Sequence, residues 1–534
     1  MESARKKYPS TNYKTVDELT MIDEGPMDLN FFKEIDPCVH ISTEGSQVVE
    51  FYRDKSVLIT GGLGFIGKLI IEKLLRSCRD LKKIYLPVRA KGQKNVTTRV
   101  QEAFEGILFS ELKKINPKFM DKVVAVEADL SVPGMAISKE DRQMLEDNVN
   151  IVIHGAASVK LAEELRLSAP INIRGTCEII ALIKNCKKLS SFVFISTAYS
   201  NSMHKTIEEK VYFTPFTADE ILHLIDTEGE NLDSRDHLIL GRWQNSYSFS
   251  KTISEYTVSK ECSDMPVCIF RPANITCTYR EPLKGWIDNY YGIVGMVALI
   301  QRALIRCTNQ HYEKFVEICP GDYVANAIIV AAYNNQFNEN RNVKVYNFVS
   351  SPENPLAQGD IIELALHYGS EMPTCQSIWY PYNIYIRNSY VYLFCSFFLH
   401  AIPSYLQDVA LVISGRKAKM SSIYQTVNKF TRCTAFAATR QWKHQNDNIQ
   451  KLWDDLSSVD QQIFSFSLSK SNINWNEYMK ILTAGLKLYL YKEDFDTIPK
   501  ARKHIKRLYK YHIISQIVAL FLILLLSFFI YSLF

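Results

Sequence analysis

Six short apolar runs, separated by helical stretches, constrain the fold of this chain more than any other feature of its sequence. They occupy residues Ser56–Thr60, Lys83–Val88, Val123–Val126, Ile151–His154, Phe192–Ser196 and Val267–Arg271. Runs that are apolar along their whole length are typical of strands buried on both faces. Helical segments, including Gly67–Cys78 and Ile171–Lys187, lie between them. The alternation predicts an α/β fold built on a doubly wound parallel sheet.

The length of the chain predicts more than one folded unit. Its 534 residues are 47% hydrophobic and 22% charged, so it is too long for one ordinary core and too apolar for disorder. Twelve cysteines without Cys-x-x-Cys pairs or Cys/His clusters indicate neither a disulfide scaffold nor a metal site. We divide the chain into a loose N-terminal extension (1–50), a sheet domain (51–355), a connecting segment with an apolar helix (356–428), a helical C-terminal domain (429–495), a basic segment (500–511) and an apolar end (512–534). The alternative for residues 1–50 is an arm that wraps the core.

A glycine-rich turn directly follows the first apolar run and precedes a helical stretch. Its glycines have the spacing G-x-x-G-x-x-G. Such glycines let the chain turn tightly, admit a pyrophosphate against the backbone and pack helix on strand, with the anion at the helix N-terminus. Between a strand and a helix, the motif predicts a Rossmann-like dinucleotide site. The predicted cofactor contacts in this turn are Thr60, Gly61, Gly64, Phe65, Ile66 and Gly67.

The same turn also fits a second motif. Residues Gly62–Lys68 match the G-x-x-x-x-G-K pattern of phosphate-binding NTPase loops. Those loops need a serine or threonine at the next position, because its hydroxyl binds Mg²⁺. The next residue here is Leu69, and we therefore reject the NTPase interpretation.

Residues at the ends of the next runs refine the cofactor prediction. Arg89 follows the second run, where a NAD-preferring site would have an acid for the ribose hydroxyls. A cation there suits a 2′-phosphate, so we predict NADPH; the alternative is a solvated surface arginine. Asp129 follows the third run and is placed to meet the adenine, unless it is an ordinary loop carboxylate. After the fourth run, small residues including Ala156 let the cofactor lie close, and we assign the adjacent His154 to structure.

Tyr247 and Lys251, one helical turn apart, are the central catalytic candidates. Residues four apart share a helix face, so Tyr247 would donate a proton to a substrate oxygen while Lys251 binds the nicotinamide ribose. An unperturbed tyrosine has a pKa of about 10, which matches neutral pH poorly. A cation at about 4 Å is worth about 4 kcal/mol at an effective dielectric of 20, or about three pKa units. We therefore predict that Lys251 lowers the pKa of Tyr247, and that both residues also contact the cofactor.

Hydroxyl groups at the end of the fifth run complete the predicted site. Thr197 is the first choice as hydrogen-bond donor to the substrate carbonyl, and Ser196 is the second. Asn172 would support the site through helix backbone and water; the alternative is a plain packing role. No metal is predicted to take part.

These motifs together resemble the extended short-chain dehydrogenases/reductases. Further segments narrow the resemblance to the fatty acyl-CoA reductases of the animal, insect type, over roughly residues 50–495. The most specific of them is the run Gly285–Asn289. The segments that carry the resemblance are Glu209–Tyr212, Tyr247–Lys251, Phe270–Pro272, Glu281–Asn289 and Val345–Ser351, with Trp453, Asp460, Phe464 and Trp475 in the helical C-terminal domain.

The resemblance implies an NADPH-dependent reduction of a long-chain fatty acyl-CoA to a primary alcohol. Two hydrides are required, of which the first displaces CoA and the second reduces the aldehyde. The resemblance also implies catalytic roles for Tyr247, Lys251 and Thr197, and cofactor contacts for Arg89 and the three spaced glycines. One alternative is a membrane-bound reductase of a sterol or another hydrophobic carbonyl compound. Another is a membrane-tethered NADPH-binding protein without turnover.

The C-terminal end carries the strongest membrane signal. Residues Ile513–Phe534 are 22 uncharged residues, about 33 Å as a helix against a hydrocarbon core of about 30 Å. Six basic residues within Lys500–Lys510 account for the net charge of +5, so the body does not resemble a nucleic-acid binder. We predict a single transmembrane helix with the catalytic body in the cytosol. The endoplasmic reticulum is the expected membrane, because the final residues form no peroxisomal or luminal retrieval signal. Homo-oligomerisation stays open.

A second apolar segment, Ser389–Ile402, is harder to assign. Its 14 residues would make a helix of about 21 Å, shorter than the hydrocarbon core. Arg387, Pro403 and Asp408 bracket it. We predict a buried or membrane-grazing helix, with part of a real span as the alternative.

Overall fold

The computed structural model describes residues 28–338 and 342–532, and its centre is a parallel sheet of seven strands. The strands are β1 (Ser56–Thr60), β2 (Lys83–Val88), β3 (Val123–Glu127), β4 (Ile151–His154), β5 (Ser191–Ile195), β6 (Val267–Pro272) and β7 (Lys344–Phe348). Their order is β7-β6-β5-β4-β1-β2-β3, and all neighbours are parallel. The strand order reverses between β1 and β4, as in a doubly wound Rossmann-like sheet. The predicted fold class is confirmed.

Helices cover both faces of the sheet and form the C-terminal part. Those up to the last strand are α1 (Phe65–Ser77), α2 (Val96–Glu105), α3 (Lys139–Asn148), α4 (Gly175–Ile183), α5 (Ala218–Glu228), α6 (Ser246–Glu261), α7 (Gly292–Gln301) and α8 (Gly321–Asn334). Those that follow are α9 (Gln358–Glu371), α10 (Ser389–Ile413), α11 (Met420–Ala438), α12 (Asp447–Asp454), α13 (Trp475–Gly485) and α14 (Ile498–Ser532). In β1, Val57 and Ile59 enter one core layer and Leu58 the other, as expected where both faces are covered.

The apolar runs do not predict the edge strand β7. The strand carries a fully buried polar residue, Asn347. Its side-chain amide donates hydrogen bonds to the carbonyl oxygens of Ile207 (3.3 Å) and Gln445 (2.8 Å). These partners are distant in sequence, so no local pattern indicates the strand. The helix predicted over 171–187 differs from the observed one. A π-helical turn over Pro170–Arg174 comes first, and the regular helix α4 begins only after it.

The described part of the N-terminal segment is not the loose extension that the sequence predicts. The ring of Phe32 is 2% exposed and lies 5.8 Å from the ring of Phe495. The hydroxyl of Ser46 donates to the carboxylate of Asp460. Residues 28–52 therefore pack against the helical C-terminal part, while residues 1–27 lie outside the described residues. The segment contains the short helices Asn30–Phe32, Pro37–His40 and Gln47–Tyr52.

The helical C-terminal part shares one core with the sheet domain. The phenol of Tyr478 on α13 donates to the carbonyl oxygen of Cys277 (2.8 Å). Gly285 has a φ of +72°, and a Cβ at Gly485 would lie 2.9 Å from its Cα, so the two backbones touch. Among the described residues, three short strand pairs link the sheet domain to the segments after residue 355: Cys307–Asn309 with Ile384–Ile386, Phe315–Val316 with Leu356–Ala357, and Thr206–Ile207 with Lys443–His444. A fourth pair, Asn274–Thr276 with Ile318–Pro320, lies within the sheet domain.

The predicted 14-residue apolar segment is part of a longer helix, α10. This helix continues through Pro403, and a wider π turn over Phe397–Ala401 gives the proline ring room that a regular turn lacks. Asp408 accepts the backbone N–H groups of residues 419, 420 and 421 at 2.8, 2.7 and 2.9 Å. It thereby joins α10 to the start of α11. The prediction that Pro403 and Asp408 bracket the segment is wrong.

Two helices in the described part of the chain are long and apolar enough to cross a bilayer. One is α10, with a mean hydropathy of 1.3, and the other is Phe495–Ser532, with a mean hydropathy of 2.8. The second includes α14, in which Ile498, Ala501 and Leu508 at the start are buried and large apolar side chains farther along, such as Ile514, Phe521 and Phe529, are exposed. The predicted C-terminal apolar helix is therefore present as a candidate span.

Candidate active site

A deep cavity of about 760 Å³ lies at the carboxyl ends of β1, β4 and β5. This is the edge at which open parallel sheets bind ligands. Arg89 and Asp129 do not belong to its wall; they follow the ends of β2 and β3. The other predicted site residues all line it: Thr60, Gly61, Gly64, Phe65, Ile66, Gly67, Ala156, Thr197, Tyr247 and Lys251.

The glycine turn is held by backbone contacts that leave no space for side chains. Gly61 has a φ of +74°, and a Cβ there would lie 2.9 Å from the nitrogen of Ala156. A Cβ at Gly67 would lie 2.6 Å from the Cα of Gly62 and would collide with the Gly61 carbonyl oxygen. The N–H of Gly64 donates to that same oxygen (2.9 Å) directly before α1 begins. The result is a bare backbone cradle at a helix N-terminus, which fits a pyrophosphate.

His154 fastens the ends of two strands to a neighbouring helix. Its Nδ1 lies 2.6 Å from the hydroxyl of Thr60, and its Nε2 lies 3.2 Å from the hydroxyl of Thr176. Thr60 also accepts the N–H groups of the two residues after His154, at 3.1 Å each. Burial and the nearby charge of Lys251 lower the pKa of His154 to about 3, so the ring is neutral at physiological pH. The prediction of a structural role is confirmed.

Tyr247 and Lys251 lie one turn apart on α6, as predicted. The helix begins after Asn245, whose side chain accepts a backbone N–H of the first turn (2.8 Å). Lys251 is 2% exposed, and its Nζ donates to the carbonyl oxygen of Ile195 at the end of β5 (2.7 Å). Burial lowers the pKa of Lys251 to about 8, against the opposing effect of the Glu255 carboxylate.

The pKa of Tyr247 differs from the prediction in direction. Burial raises the pKa of Tyr247 to about 12; a hydrogen bond with the Thr197 hydroxyl opposes this, and the charge of Glu255 adds to it. The effects on the Tyr247 pKa come from burial, Thr197 and Glu255 and not from Lys251, whose ammonium is bound to the Ile195 carbonyl. Tyr247 is therefore a protonated phenol at neutral pH, which suits a proton donor.

A buried ion pair next to the site is absent from the sequence prediction. Arg271, at the end of β6, donates from Nε (2.8 Å) and Nη2 (2.6 Å) to the carboxylate of Glu255, and both side chains are at most 1% exposed. The hydroxyl of Ser196 also donates to Glu255. Because Ser196 is engaged in this way, the geometry favours Thr197 as the substrate-facing hydroxyl. The Phe270–Pro272 segment marks the arginine, but no local signal pairs it with Glu255.

Asn172 positions the catalytic helix from the π turn before α4. Its side-chain amide donates to the hydroxyl of Ser250 (2.9 Å), and its carbonyl oxygen accepts the hydroxyl of Ser254 (2.8 Å). Both serines lie on α6, close to Lys251. The Asn172 side chain also accepts the N–H of Ser158 (2.8 Å). Asn172 therefore supports α6 directly, without lining the cavity.

Arg89 and Asp129 form an ion pair of 3.7 Å in which the Arg89 side chain is 57% exposed. Burial alone would raise the pKa of Asp129, but hydrogen bonds from Ser131 and the charge of Arg89 bring it below its usual range. A basic groove lies beside this pair, because Lys91 and Arg99 line a second cavity near the glycine turn. Arg99 donates to the carbonyl oxygen of Arg89. Arg89, Lys91 and Arg99 therefore lie where the sequence predicts a 2′-phosphate, together with the carboxylates of Asp129 and Glu102.

Known proteins share these features. Residues 59–328 match the family model NAD_binding_4 and residues 399–493 match the model Sterile, both described as male sterility protein. Fatty acyl-CoA reductase wat of Drosophila melanogaster is 33% identical over 480 residues, which cover 89% of this chain and 92% of that protein. This chain belongs to the fatty acyl-CoA reductase family. Human fatty acyl-CoA reductase 2 is 31% identical over 479 residues, 90% of this chain and 92% of that protein. The predicted resemblance is confirmed, and with it an oxidoreductase with an NAD(P)-binding domain.

Solved structures support the fold of this fatty acyl-CoA reductase family member. The terminal R domain from the myxalamid biosynthetic pathway has a TM-score of 0.54 at 16% identity, over 81% of this chain and 91% of that one. The reductase domain of a nonribosomal peptide synthetase from Mycobacterium tuberculosis has a TM-score of 0.53 at 17% identity, over 87% and 96%. At these identities the likeness concerns the fold.

The far part of the cavity comes from residues that the family motifs do not mark. Three helices, α7, α9 and α11, contribute apolar side chains to the same cavity that Tyr247 lines. No local pattern distinguishes these residues from ordinary core residues, because the helices are far apart in sequence. The apolar lining includes Ile293, Met296, Val297, Ile361, Ile362 and Phe430.

A polar pair, Glu317 and His444, also lines this cavity and was not predicted. The Nδ1 of His444 lies 3.3 Å from Glu317, and both side chains are at most 5% exposed. Glu317 accepts the N–H groups of Ser350 (2.9 Å) and Ser351 (2.8 Å). Burial alone would raise the pKa of Glu317, but the neighbouring His444 ring and the hydrogen bonds from Ser351 bring it below its usual range. The pair is assembled by tertiary contacts alone.

Proposed function

We propose that this chain reduces a long-chain fatty acyl-CoA to a primary alcohol, with release of CoA and with NADPH as hydride donor. One observation carries the proposal: a single cavity contains the glycine turn, the hydroxyls of Tyr247 and Thr197, and an apolar chamber. Such a cavity accommodates a dinucleotide beside a thioester carbonyl and an alkyl chain beyond it. Membership of the fatty acyl-CoA reductase family supports the substrate class.

The residues present fit a nicotinamide dinucleotide. The cradle at Gly61 and Gly67 would hold the pyrophosphate, Lys251 the nicotinamide ribose and Arg89 the 2′-phosphate, and Ala156 would leave space for the cofactor to lie close. When bound, NADPH supplies the hydride for each of the two reductions.

Tyr247 and Thr197 act on the carbonyl oxygen. Negative charge develops there during each reduction, and two hydroxyl donors stabilise it. Tyr247 keeps its proton at neutral pH, because burial raises its pKa to about 12, and it donates this proton to the developing alkoxide. In the first reduction the carbonyl re-forms as the carbon–sulfur bond breaks, and the proton that Tyr247 gave to the oxygen passes to the departing sulfur, so CoA leaves as a thiol. In the second, the oxygen keeps the proton and becomes the hydroxyl of the alcohol. Tyr247 regains a proton from solvent after each reduction.

The experiment supplies membranes that contain the full chain with a saturated long-chain acyl-CoA and NADPH. The expected products are a primary alcohol and free CoA, measured by gas chromatography and a thiol reagent. Tyr247→Phe should lower the rate by about a hundredfold or more, while Tyr256→Phe, on the same helix, should not. An unchanged rate in Tyr247→Phe would contradict the mechanism. NADPH oxidation without CoA release would indicate a carbonyl substrate such as a sterol.

We further propose that Arg89 selects NADPH over NADH. Arg89→Ala should weaken NADPH binding about tenfold and leave NADH binding unchanged, because a charge-assisted hydrogen bond to phosphate is lost. Arg53→Ala is the matched control, since Arg53 is also exposed (52%) but precedes β1 at the opposite end. Equal losses for both cofactors, measured by titration calorimetry, would assign Arg89 to another role.

We infer that the catalytic body faces the cytosol and that α14 crosses the endoplasmic reticulum membrane. Support comes from the exposed apolar stretch that starts at Ile513 and the basic residues that precede it. Protease added to sealed microsomes should digest the catalytic body without detergent. Protection of the body would reverse the orientation.

A further inference from the structure

The helix α10 buries its polar face against the protein and exposes its apolar face, the reverse of an ordinary amphipathic helix. Its buried residues are mostly polar and recur at four-residue spacing, with the small Ala401 beside them: Tyr392, Ser396, His400, Ser404 and Asp408. Apart from Ser389 at its start and the small Ala410, its exposed residues are large apolar or aromatic side chains that are each at least 48% exposed: Tyr390, Val391, Leu393, Phe394, Phe397, Phe398, Tyr405, Leu406, Val409, Val412 and Ile413. A contiguous exposed apolar face of this kind marks an interaction site.

The polar face of α10 is fixed by hydrogen bonds to the rest of the protein. The Nε2 of His400 accepts the N–H of Arg306 (2.8 Å), and the phenol of Tyr392 donates to the hydroxyl of Thr431 (3.2 Å). Asp408 caps α11 as described above. These contacts hold the helix with its apolar face outward, so the exposure is a property of the fold.

The neighbouring helix α11 shows the ordinary arrangement. Its exposed positions are polar apart from Ile423, which is 37% exposed. They include Ser422, Gln425, Lys429 and Arg432. The reversal is therefore specific to α10 within this helical pair.

Charge identifies the partner of the apolar face. From Val409 to Asn446 the chain has seven lysines and arginines and no acidic residue. Three of them, Arg416, Lys417 and Lys419, are exposed in the turn between α10 and α11. Basic side chains near an anionic membrane surface are attracted to its headgroups. An apolar face flanked by cations is the arrangement of interfacial helices.

The segment that leads into α10 contacts the C-terminal helix, which supports the same partner. The Nε1 of Trp379 donates to the Nδ1 of His512 (3.1 Å), just before the apolar part of α14. The rings of Tyr380 and Tyr382 lie 5.5 and 4.9 Å from that of His512. Tryptophan and tyrosine are enriched at the level of the headgroups. A short strand, Ile384–Ile386, leads from these aromatic residues to α10.

We propose that α10 lies in the plane of the membrane that α14 enters, with its apolar face among the acyl chains of an anionic lipid surface. It does not cross the bilayer, because its polar face is bound to the protein along its length. On its other side α11 forms part of the cavity wall, through residues such as Phe430 and Thr434. The apolar chamber is therefore one helix away from the lipid. This membrane contact is independent of the proposed reaction.

The test reconstitutes the full chain into vesicles of phosphatidylcholine and phosphatidylserine that contain a phospholipid with a diazirine on its acyl chain. After illumination and digestion, mass spectrometry maps the labelled peptides. We expect label on residues 389–413 as well as on 513–532. Phe213 and Leu238, which are 78% and 68% exposed elsewhere, serve as internal controls and should stay unlabelled. Label confined to 513–532 would overturn the proposal.

A variant separates lipid contact from other causes of labelling. Phe394→Glu combined with Val409→Glu should lower the label on residues 389–413 at least about fivefold, because charged groups leave the hydrocarbon region. Label on α14 should not change, and Phe213→Glu should change neither segment. Unchanged label on residues 389–413 in the double variant would overturn the proposal. An unlabelled apolar face on α10, together with cross-links between two copies of the chain, would also overturn the proposal and would assign that face to self-association.

Discussion

The two ends of the cavity are built by different means. At the nucleotide end, the backbone of one strand, one turn and one helix forms the cradle, and Gly61 and Gly67 leave no space for a side chain. At the apolar end, side chains such as Met296 and Phe430 come from helices that are distant in sequence. The difference teaches that cofactor recognition depends on local backbone geometry, whereas recognition of the alkyl chain depends on side-chain volume. The nucleotide end should therefore tolerate almost no change, and the apolar end should tolerate many.

Gly67→Ala should have the largest effect. Its methyl group would lie 2.6 Å from the Cα of Gly62 and collide with the Gly61 carbonyl oxygen, so the backbone of the turn must move. We expect NADPH binding to weaken by about a hundredfold or more, as for a misplaced binding group. Gly106→Ala is the matched control, because its Cβ would make only an ordinary contact of 3.6 Å. Normal NADPH binding by folded Gly67→Ala would contradict the comparison.

Glu255→Gln should have the next largest effect, on the stability of the catalytic helix. The substitution leaves Arg271 buried without its counter-charge, which costs about 3 kcal/mol of unfolding free energy. Glu261→Gln removes an exposed ion pair with Lys184 from the same helix and should cost less than about 1 kcal/mol. Denaturant unfolding measures both. Similar small losses would show that the ion pair does not hold the site.

The pH dependence of cofactor binding tests Lys251. Burial lowers its pKa from 10.5 to about 8, so above pH 8 it loses the charge that we propose holds the ribose. NADPH affinity should fall by at most about tenfold per pH unit. Stability should rise over the same window, from about pH 8 to 10.5, because there the unfolded chain binds the extra proton. Lys251→Arg keeps its charge and should remove the fall in affinity; a fall that persists in this variant belongs to another group.

Met296→Trp should have the smallest effect on chemistry and a selective one on substrate length. The larger side chain shortens the apolar chamber, so the rate ratio of long to medium acyl-CoA should fall about tenfold. NADPH affinity should not change. Gln425→Trp, at an exposed position of α11, is the control. An equal loss of rate with acyl-CoA of every chain length would show that the apolar end is as rigid as the nucleotide end.

Sequence predicted the nucleotide end well because its determinants are local. The apolar runs, the glycine spacing and the Tyr247–Lys251 pair each depend on neighbours in the chain, and the structure brings them together in one cavity. Glu317 and His444 could not be predicted, because 126 intervening residues separate them until the fold is complete. The predicted direction of the Tyr247 pKa shift was wrong for a related reason. Residue spacing gives the distance to Lys251 but not the burial, or the Ile195 carbonyl that binds the ammonium.

The apolar segment at α10 shows a further limit of local patterns. Composition reveals that Ser389–Ile402 is apolar, but not which face the protein covers. That depends on Arg306, Thr431 and the start of α11, all of which bind the polar face. A helix was correctly predicted at this segment. Its greater length and the groups that cover its polar face depend on tertiary contacts.

The contact between Gly285 and Gly485 restricts which parts can replace either side of this chain. The backbones of the two glycines touch, so a chimera that replaces the sheet domain or the C-terminal part needs glycine at the position it replaces. A substitution at one position has no compensating change at the other, because glycine has no side chain to shorten. The two positions must therefore both be glycine at the same time, although 199 residues lie between them.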